Sequence, residues 1–417
     1  MRRAHLVWLH RWIGLLIAGF LILEGLTGSL LAFRRPLERL INPQLFAACR
    51  DRSPLDLATL AERSEAQEPH ARIDYFSVDR DQVLVRVSPR VDPATQKPWP
   101  IDFDRVFLDP CSGLELGHRR EGDIAQGRGN LLSFVYALHM NLAAGAAGYW
   151  ILGVVALAWS IDCFAGLYLT LPGALHGFVR RWRPAWWVKV HAKPVRVNFD
   201  LHRAGGLWLW PVLFVFAWSS VMFNLNSVYA PVMSAVFDYQ DPAGVFQQPW
   251  LRENPNPRLH WQQAQVLGAR AMEKVSRERG FRIVRPFGMA YIESFGVYTY
   301  AVESDRNVQQ NAWSTSVWVD GDTGDIRDVS VPSGEHSGNT VEVWLRALHF
   351  ADLHDSAIYR IFVALAGVVV TMLSVTGIYL WWKKRRARLW SIVHAARSAT
   401  GGAEIASAIG HRGESVP

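Results

Sequence analysis

The chain has 417 residues, 50% of them hydrophobic, with 19 Trp and a formal net charge of +7. Its mean hydropathy of +0.05 excludes both a wholly soluble domain and a bare helical bundle, and calls for membrane spans joined to sizeable polar parts. The positive charge gathers beside the apolar stretches, which marks membrane flanks and speaks against a nucleic-acid partner.

Residues 1–11, opening in Met1-Arg2-Arg3, read as a short cytoplasmic N-terminus. Residues 12–33 form the first of four runs long enough to cross a bilayer, which takes about 20 residues. This run is too long for a cleaved leader, and no small-residue cleavage site precedes Arg34-Arg35-Pro36. Residues 34–148 follow as a first outer segment. It has an amphipathic stretch, "SPLDLATLAERSEAQ", then strand-like alternation, then "VFLDPCSGLELG". There Asp109 and Gly113 suit a tight hairpin turn: an Asp that bonds its own backbone, and a Gly free to take positive φ.

The second span is 149–171, followed by a basic loop over 172–204. The third span, 205–225, contains Pro211, which removes a helical hydrogen bond and predicts a kink. Residues 226–356 repeat the plan of the first outer segment, with "WQQAQVLGARAMEKVSRERG" and then "VWVDGDTGDIRD", where Asp320 and Gly324 hold the turn positions. The fourth span is 357–382. Residues 383–417 begin with "KKRRAR" and continue into an Ala/Gly/Ser-rich tail expected to be disordered.

Basic residues sit inside. The 172–204 loop sets Arg180, Arg181, Arg183, Lys189, Lys193, Arg196 and Arg203 against a single acid, Asp200, so it and both termini are assigned to the cytoplasm. The outer segments are then periplasmic if the membrane is a bacterial inner membrane. Arg34, Arg35 and Arg39 break this pattern. Cys49 and Cys111 share the first outer segment, where a disulfide and two unpaired thiols both stand open.

The spans repeat as the outer segments do. "LHRWIGL" opens the first and "LHRAGGLW" the third; "LHM" precedes the second and "LHF" the fourth. His10 thus corresponds to His202 and His139 to His349, at an offset of about 200 residues that a duplicated span–domain–span unit explains. A lone histidine at a helix end is an ordinary interfacial residue. Four at equivalent positions, two at each membrane face, suit two haems held between helices. Without Cys-x-x-Cys-His, the haem would be non-covalent b-type. His5 and His354 stand as alternative ligands. Glu24 and Asp162 lie inside spans, where an ionisable group is costly; proton or quinol coupling and a neutral, hydrogen-bonded carboxyl both stay open. No dinucleotide or P-loop motif appears, so electrons are expected from a separate cytoplasmic donor or from quinol.

These motifs, with "TGSLLAF", "ILGVVAL", "AGLYLTLP", "TGIYLWWKKRR" and the two Asp-x-x-x-Gly turns, resemble the PepSY-associated transmembrane family of iron-regulated bacterial inner-membrane proteins, over about residues 5–390. The resemblance implies an α-helical polytopic membrane protein: four transmembrane helices in two repeats, each with an inserted α+β PepSY-like periplasmic domain. It also implies a di-haem reductase of ferric siderophores, similar to ferrioxamine reductases, with haem iron on His10, His139, His202 and His349. The function expected is therefore reduction of Fe(III)-siderophore at the periplasmic side of the inner membrane to release Fe(II) for uptake. A PepSY-type sensor without redox activity, and a quinol-linked cytochrome for another acceptor, are the alternatives.

Overall fold

The computed structural model describes residues 3–49, 53–309, 315–353 and 356–410, with residues 243, 245, 246 and 392–410 described as backbone only. The chain divides into two compact units. The first comprises residues 1–25, 158–214 and 368–417, the second 26–157 and 215–367.

Twelve α-helices and eight strands follow one another among the described residues. Helices α1 (Arg3–Leu31), α2 (Arg34–Ile41) and α3 (Leu57–Gln67) precede strands β1 (Ala71–Val78), β2 (Val83–Pro89), β3 (Arg105–Leu108) and β4 (Glu115–Arg119). Then come α4 (Leu131–Asn141), α5 (Gly145–Thr170), α6 (Phe178–Trp182), α7 (Pro194–Trp208), α8 (Trp210–Asn224), α9 (Asn226–Val236) and α10 (Trp261–Arg279). Strands β5 (Ile283–Ile292), β6 (Val297–Ser304), β7 (Thr315–Asp320) and β8 (Ile326–Ser330) lead to α11 (Ser337–His349) and α12 (Ala357–Gly410).

Among the described residues, three helices are long and apolar enough to cross a membrane: α1, α5 and the Ala357–Ser391 part of α12. The pair α7 and α8 passes the same test only together, bent by 70°. The break falls at Leu209, two residues before Pro211, whose ring has no N–H to give and crowds the preceding turn. Leu16, Val154, Ile161, Leu365 and Val375 stay exposed along these helices, which suits lipid and not water. Helix α12 continues beyond the fourth span as far as Gly410; residues 411–417, the end of the tail expected to be disordered, lie outside the described residues.

In the second unit the outer segments do not make two separate sheets. They form one antiparallel sheet of eight strands in the order β4-β3-β2-β1-β5-β6-β7-β8. The two sets of four meet edge to edge, Tyr75 opposite Ala290, Phe76 opposite Met289 and Ser77 opposite Gly288. An unpaired strand edge is a row of open backbone donors and acceptors, so each set closes the edge the other leaves. Alternation builds the core: Val83, Val85 and Val87 of β2 are buried, and Ile73, Phe76 and Val78 of β1 join them. Leu57, Leu60 and Ala61 of α3 and Trp261, Ala264 and Met272 of α10 belong to the same core. Removing Phe76, 1% exposed with its ring 5.9 Å from Trp261, should cost about 3–5 kcal/mol.

Local chemistry fixes the turns as expected. Asp109 Oδ1 accepts from the N–H of Cys111, and Asp320 Oδ1 from the N–H groups of Asp322 and Thr323. Gly113 and Gly324 sit at φ +64° and +78°, which an L side chain would strain. Cys49 and Cys111 are joined as a disulfide, their Cα atoms 5.8 Å apart; Cys163 is free and buried. The arginines that broke the charge pattern are matched by acids. Arg34 pairs with Glu121 at 3.1 Å and lies over the Tyr136 ring, Arg35 bonds Asp79 and Asp81, and Arg39 bonds Asp81. Burial works against the Glu121 charge, yet Arg105, Arg34 and Arg119 together hold its pKa below the usual carboxylate value.

Candidate haem-binding histidine pairs

The first unit brings His10 of α1 and His202 of α7 together, ring centroids 6.0 Å apart. His10 Nδ1 lies 2.9 Å from Oδ1 of Asp162 on α5, a carboxylate with 9% of its side chain exposed. His202 Nδ1 lies 3.0 Å from the carbonyl of Leu373 and 3.1 Å from Oγ1 of Thr376, both on α12. Glycines make room for both rings. A Cβ on Gly166 would stand 3.4 Å from Cε1 of His10, and one on Gly377 would stand 3.3 Å from Cε1 of His202.

The second unit builds the same arrangement from other elements. His139 near the end of α4 and His349 at the end of α11 have ring centroids 6.3 Å apart. His139 Nδ1 lies 2.9 Å from Oγ1 of Thr27 on α1, and His349 Nδ1 lies 2.7 Å from Oγ of Ser219 on α8. A Cβ on Gly28 would stand 3.0 Å from Cε1 of His139. Phe216, Phe223 and Phe350 surround His349. Burial in these apolar surroundings, with the His139 charge second, pushes the His349 pKa down to about 3, so the imidazole is neutral at neutral pH. The chain turns sharply after each of these histidines, through Leu142 and Ala143 in one case and Ala351 in the other, all at positive φ.

The partners decide which nitrogen carries the proton. Asp162 as a carboxylate and the Leu373 carbonyl can only accept, so His10 and His202 donate from Nδ1–H. The Ser219 hydroxyl donates to the Val215 carbonyl at 2.6 Å and therefore accepts from His349 Nδ1–H. Those three rings keep their lone pair on Nε2, the nitrogen that binds a metal when Nδ1 is held by such a partner. Ring centroids 6.0 and 6.3 Å apart leave room for one metal atom that both imidazoles of a pair would bind. Donor type, the tautomer of three of the rings and the flanking glycines fit a haem iron that His10 and His202 would hold at one pair and His139 and His349 at the other.

His5 is exposed, on α1 more than a turn before His10, and His354 lies outside the described residues. His70 stacks on Trp99, His118 bonds Glu115, and His336 bonds Asp238. Thr27, Ser219 and Thr376 are functional candidates that the motif reading passed over. A signal existed: Thr27 follows His10, and Ser219 follows His202, at one and the same offset.

A search of curated proteins finds no match to the chain. The family model described as the PepSY-associated TM region matches residues 7–282 and 284–401, nearly the full length. With its apolar membrane-length helices and its histidines in four matching motifs, the chain belongs to the PepSY-associated transmembrane family of membrane proteins.

Proposed function

We propose that the chain is a two-repeat, four-span b-type cytochrome of a bacterial inner membrane. It holds one haem between His10 and His202 and one between His139 and His349, and it reduces Fe(III)-siderophore on the periplasmic side. The observation that carries this reading is the doubled histidine geometry, with centroids 6.0 and 6.3 Å apart and Nδ1 of each ring held by an oxygen of another helix. When bound, each haem supplies a one-electron couple whose potential the protein sets. The chain's own residues orient the imidazoles through their Nδ1 contacts. At the acceptor, Fe(III) gains one electron from a cytoplasmic donor or quinol and becomes Fe(II). The hard oxygen donors of a siderophore hold Fe(II) far less tightly, so iron leaves while the chelator stays intact.

The test is haem quantitation by pyridine haemochrome, followed by anaerobic mixing of the reduced protein with a panel of ferric siderophores under Fe(II) capture. Two haems per chain, and reoxidation with Fe(II) release, are expected. A folded, colourless preparation refutes the reading. Two haems that no ferric chelate reoxidises refute the siderophore part and leave a cytochrome for another acceptor.

A further inference from the structure

At Nδ1 the four histidines meet partners of different kinds. His139 and His349 face hydroxyls, and His202 faces a backbone carbonyl and a hydroxyl. His10 faces the Asp162 carboxylate. The sequence shows how local this difference is, for Asp162 and Leu373 precede Gly166 and Gly377 by the same step. One half of the protein thus uses a carboxylate where the other uses a main-chain oxygen. Asp162 is 8% exposed, and among the described residues His10 is its one hydrogen-bond partner. Oδ2 looks toward Gly14, where a Cβ would stand 3.9 Å away. A carboxylate in an apolar helix layer is expensive to keep and marks function.

From this asymmetry we infer that Asp162 is a positioning residue that lowers the potential of the haem held by His10 and His202 below that of the haem held by His139 and His349. This rests on the proposed di-haem reading and deepens it. An Nδ1–H donated to a carboxylate gives the ring more imidazolate character than one donated to a hydroxyl, and the low dielectric strengthens that bond. A more basic ligand stabilises Fe(III) over Fe(II). One electron then moves downhill from the first site, which is oxidised, to the second, which is reduced, and the reductant is the donor already proposed. The asymmetry would give electron flow its direction, from the site of lower potential to the site of higher potential.

The experiment is a potentiometric titration of purified wild type and of Asp162→Asn, Asp162→Leu and Asp162→Glu, each with its haem content measured. His10→Ala, read alongside, identifies the first site by which midpoint disappears. Wild type should show two midpoints, the lower one lost in His10→Ala. Asn and Leu should raise that lower midpoint by at least a tenfold change in its equilibrium, 59 mV for a one-electron couple. Glu should hold it near the wild-type value, and the upper midpoint should stay in place throughout. Unmoved midpoints with both haems retained overturn the inference, and so does movement of the upper one. Haem lost in Asn and Leu but kept in Glu assigns Asp162 a scaffolding role and also overturns it. Wild type without haem sinks the functional reading itself, an outcome that the haem assay separates from the others.

Discussion

Adding one methyl group at Gly28 should loosen the haem proposed at the second histidine pair. The new Cβ would stand 3.0 Å from Cε1 of His139, ~0.5–1 Å inside the separation of ~3.5–4 Å that two carbons prefer. The ring escapes only by straining its 2.9 Å contact with Thr27, the adjacent residue on the same helix. Overpacking of this kind costs about 1–3 kcal/mol, which at about 1.4 kcal/mol per decade is about 5- to 150-fold in haem affinity. Alanine at Gly377 or Gly166 meets its histidine at 3.3 or 3.4 Å and should cost less. Gly19 lies on the same helix as Gly28 with nothing within 4 Å; alanine there gains about 0.5–1 kcal/mol of helix propensity and should leave haem untouched. The assay is the rate of haem transfer to excess apomyoglobin, and the expected order of rates is Gly28, Gly377, Gly166, Gly19, fastest first. A Gly28→Ala protein that is purified with two haems and releases them no faster than Gly19→Ala refutes the reasoning.

His139→Ala or His349→Ala should lower the haem content from two to one, and His10→Ala or His202→Ala should remove the other haem, as read by pyridine haemochrome. Alkaline phosphatase fused after residue 100 or 300 should be active and after residue 185 inactive; the reverse pattern exchanges the two faces. Burial raises the Asp320 pKa, but the N–H groups of Thr323 and Asp322 and the Arg327 guanidinium outweigh it and bring the value to about 2. A depressed carboxylate pKa stabilises the fold above the unfolded value of about 3.9, a contribution of about 2 kcal/mol that is lost as pH falls toward 2. Asp320→Asn should therefore flatten the acid limb of sheet unfolding followed by circular dichroism.

The membrane-length helices, the turn aspartates and the four histidines could be read from the sequence, because each leaves a local mark: an apolar run, an Asp-x-x-x-Gly, a Leu-His. Pro211 announced the break of the third span in the same way. The joined sheet left no such mark. Nothing in "RIDYFSV" or "PFGMAYI" names the partner strand, and the edge that Tyr75 and Phe76 offer is main-chain chemistry, common to all residues. For the same reason the Leu373 carbonyl beside His202 was invisible, since every residue has one. Thr27 and Ser219 look like ordinary hydroxyls in apolar helices until the histidine pairs are known. Asp162 drew notice by its cost, but its partner His10 is distant in sequence, and the contact is formed only by folding.

The edge-to-edge junction of β1 with β5 also sets a clock on biogenesis. Strand β1 is complete once residue 78 has been made, and β5 begins at residue 283. At ~5–20 residues per second, the ribosome needs ~10–40 s for the roughly 200 residues between. Throughout that interval β1 waits with an open flank, joined by β2 to β4 once residue 119 has been made, while the apolar helices α5, α7 and α8 are synthesised. Misjoining to a neighbouring nascent chain competes with the intended partner for as long as the wait lasts. Arg72 and Asp74 on that flank make it charged, and Arg72 finds Glu293 when β5 finally arrives. Slower synthesis lengthens the exposure in direct proportion, so rare codons between residues 78 and 283 should lower the yield of assembled protein even though the finished chain is identical.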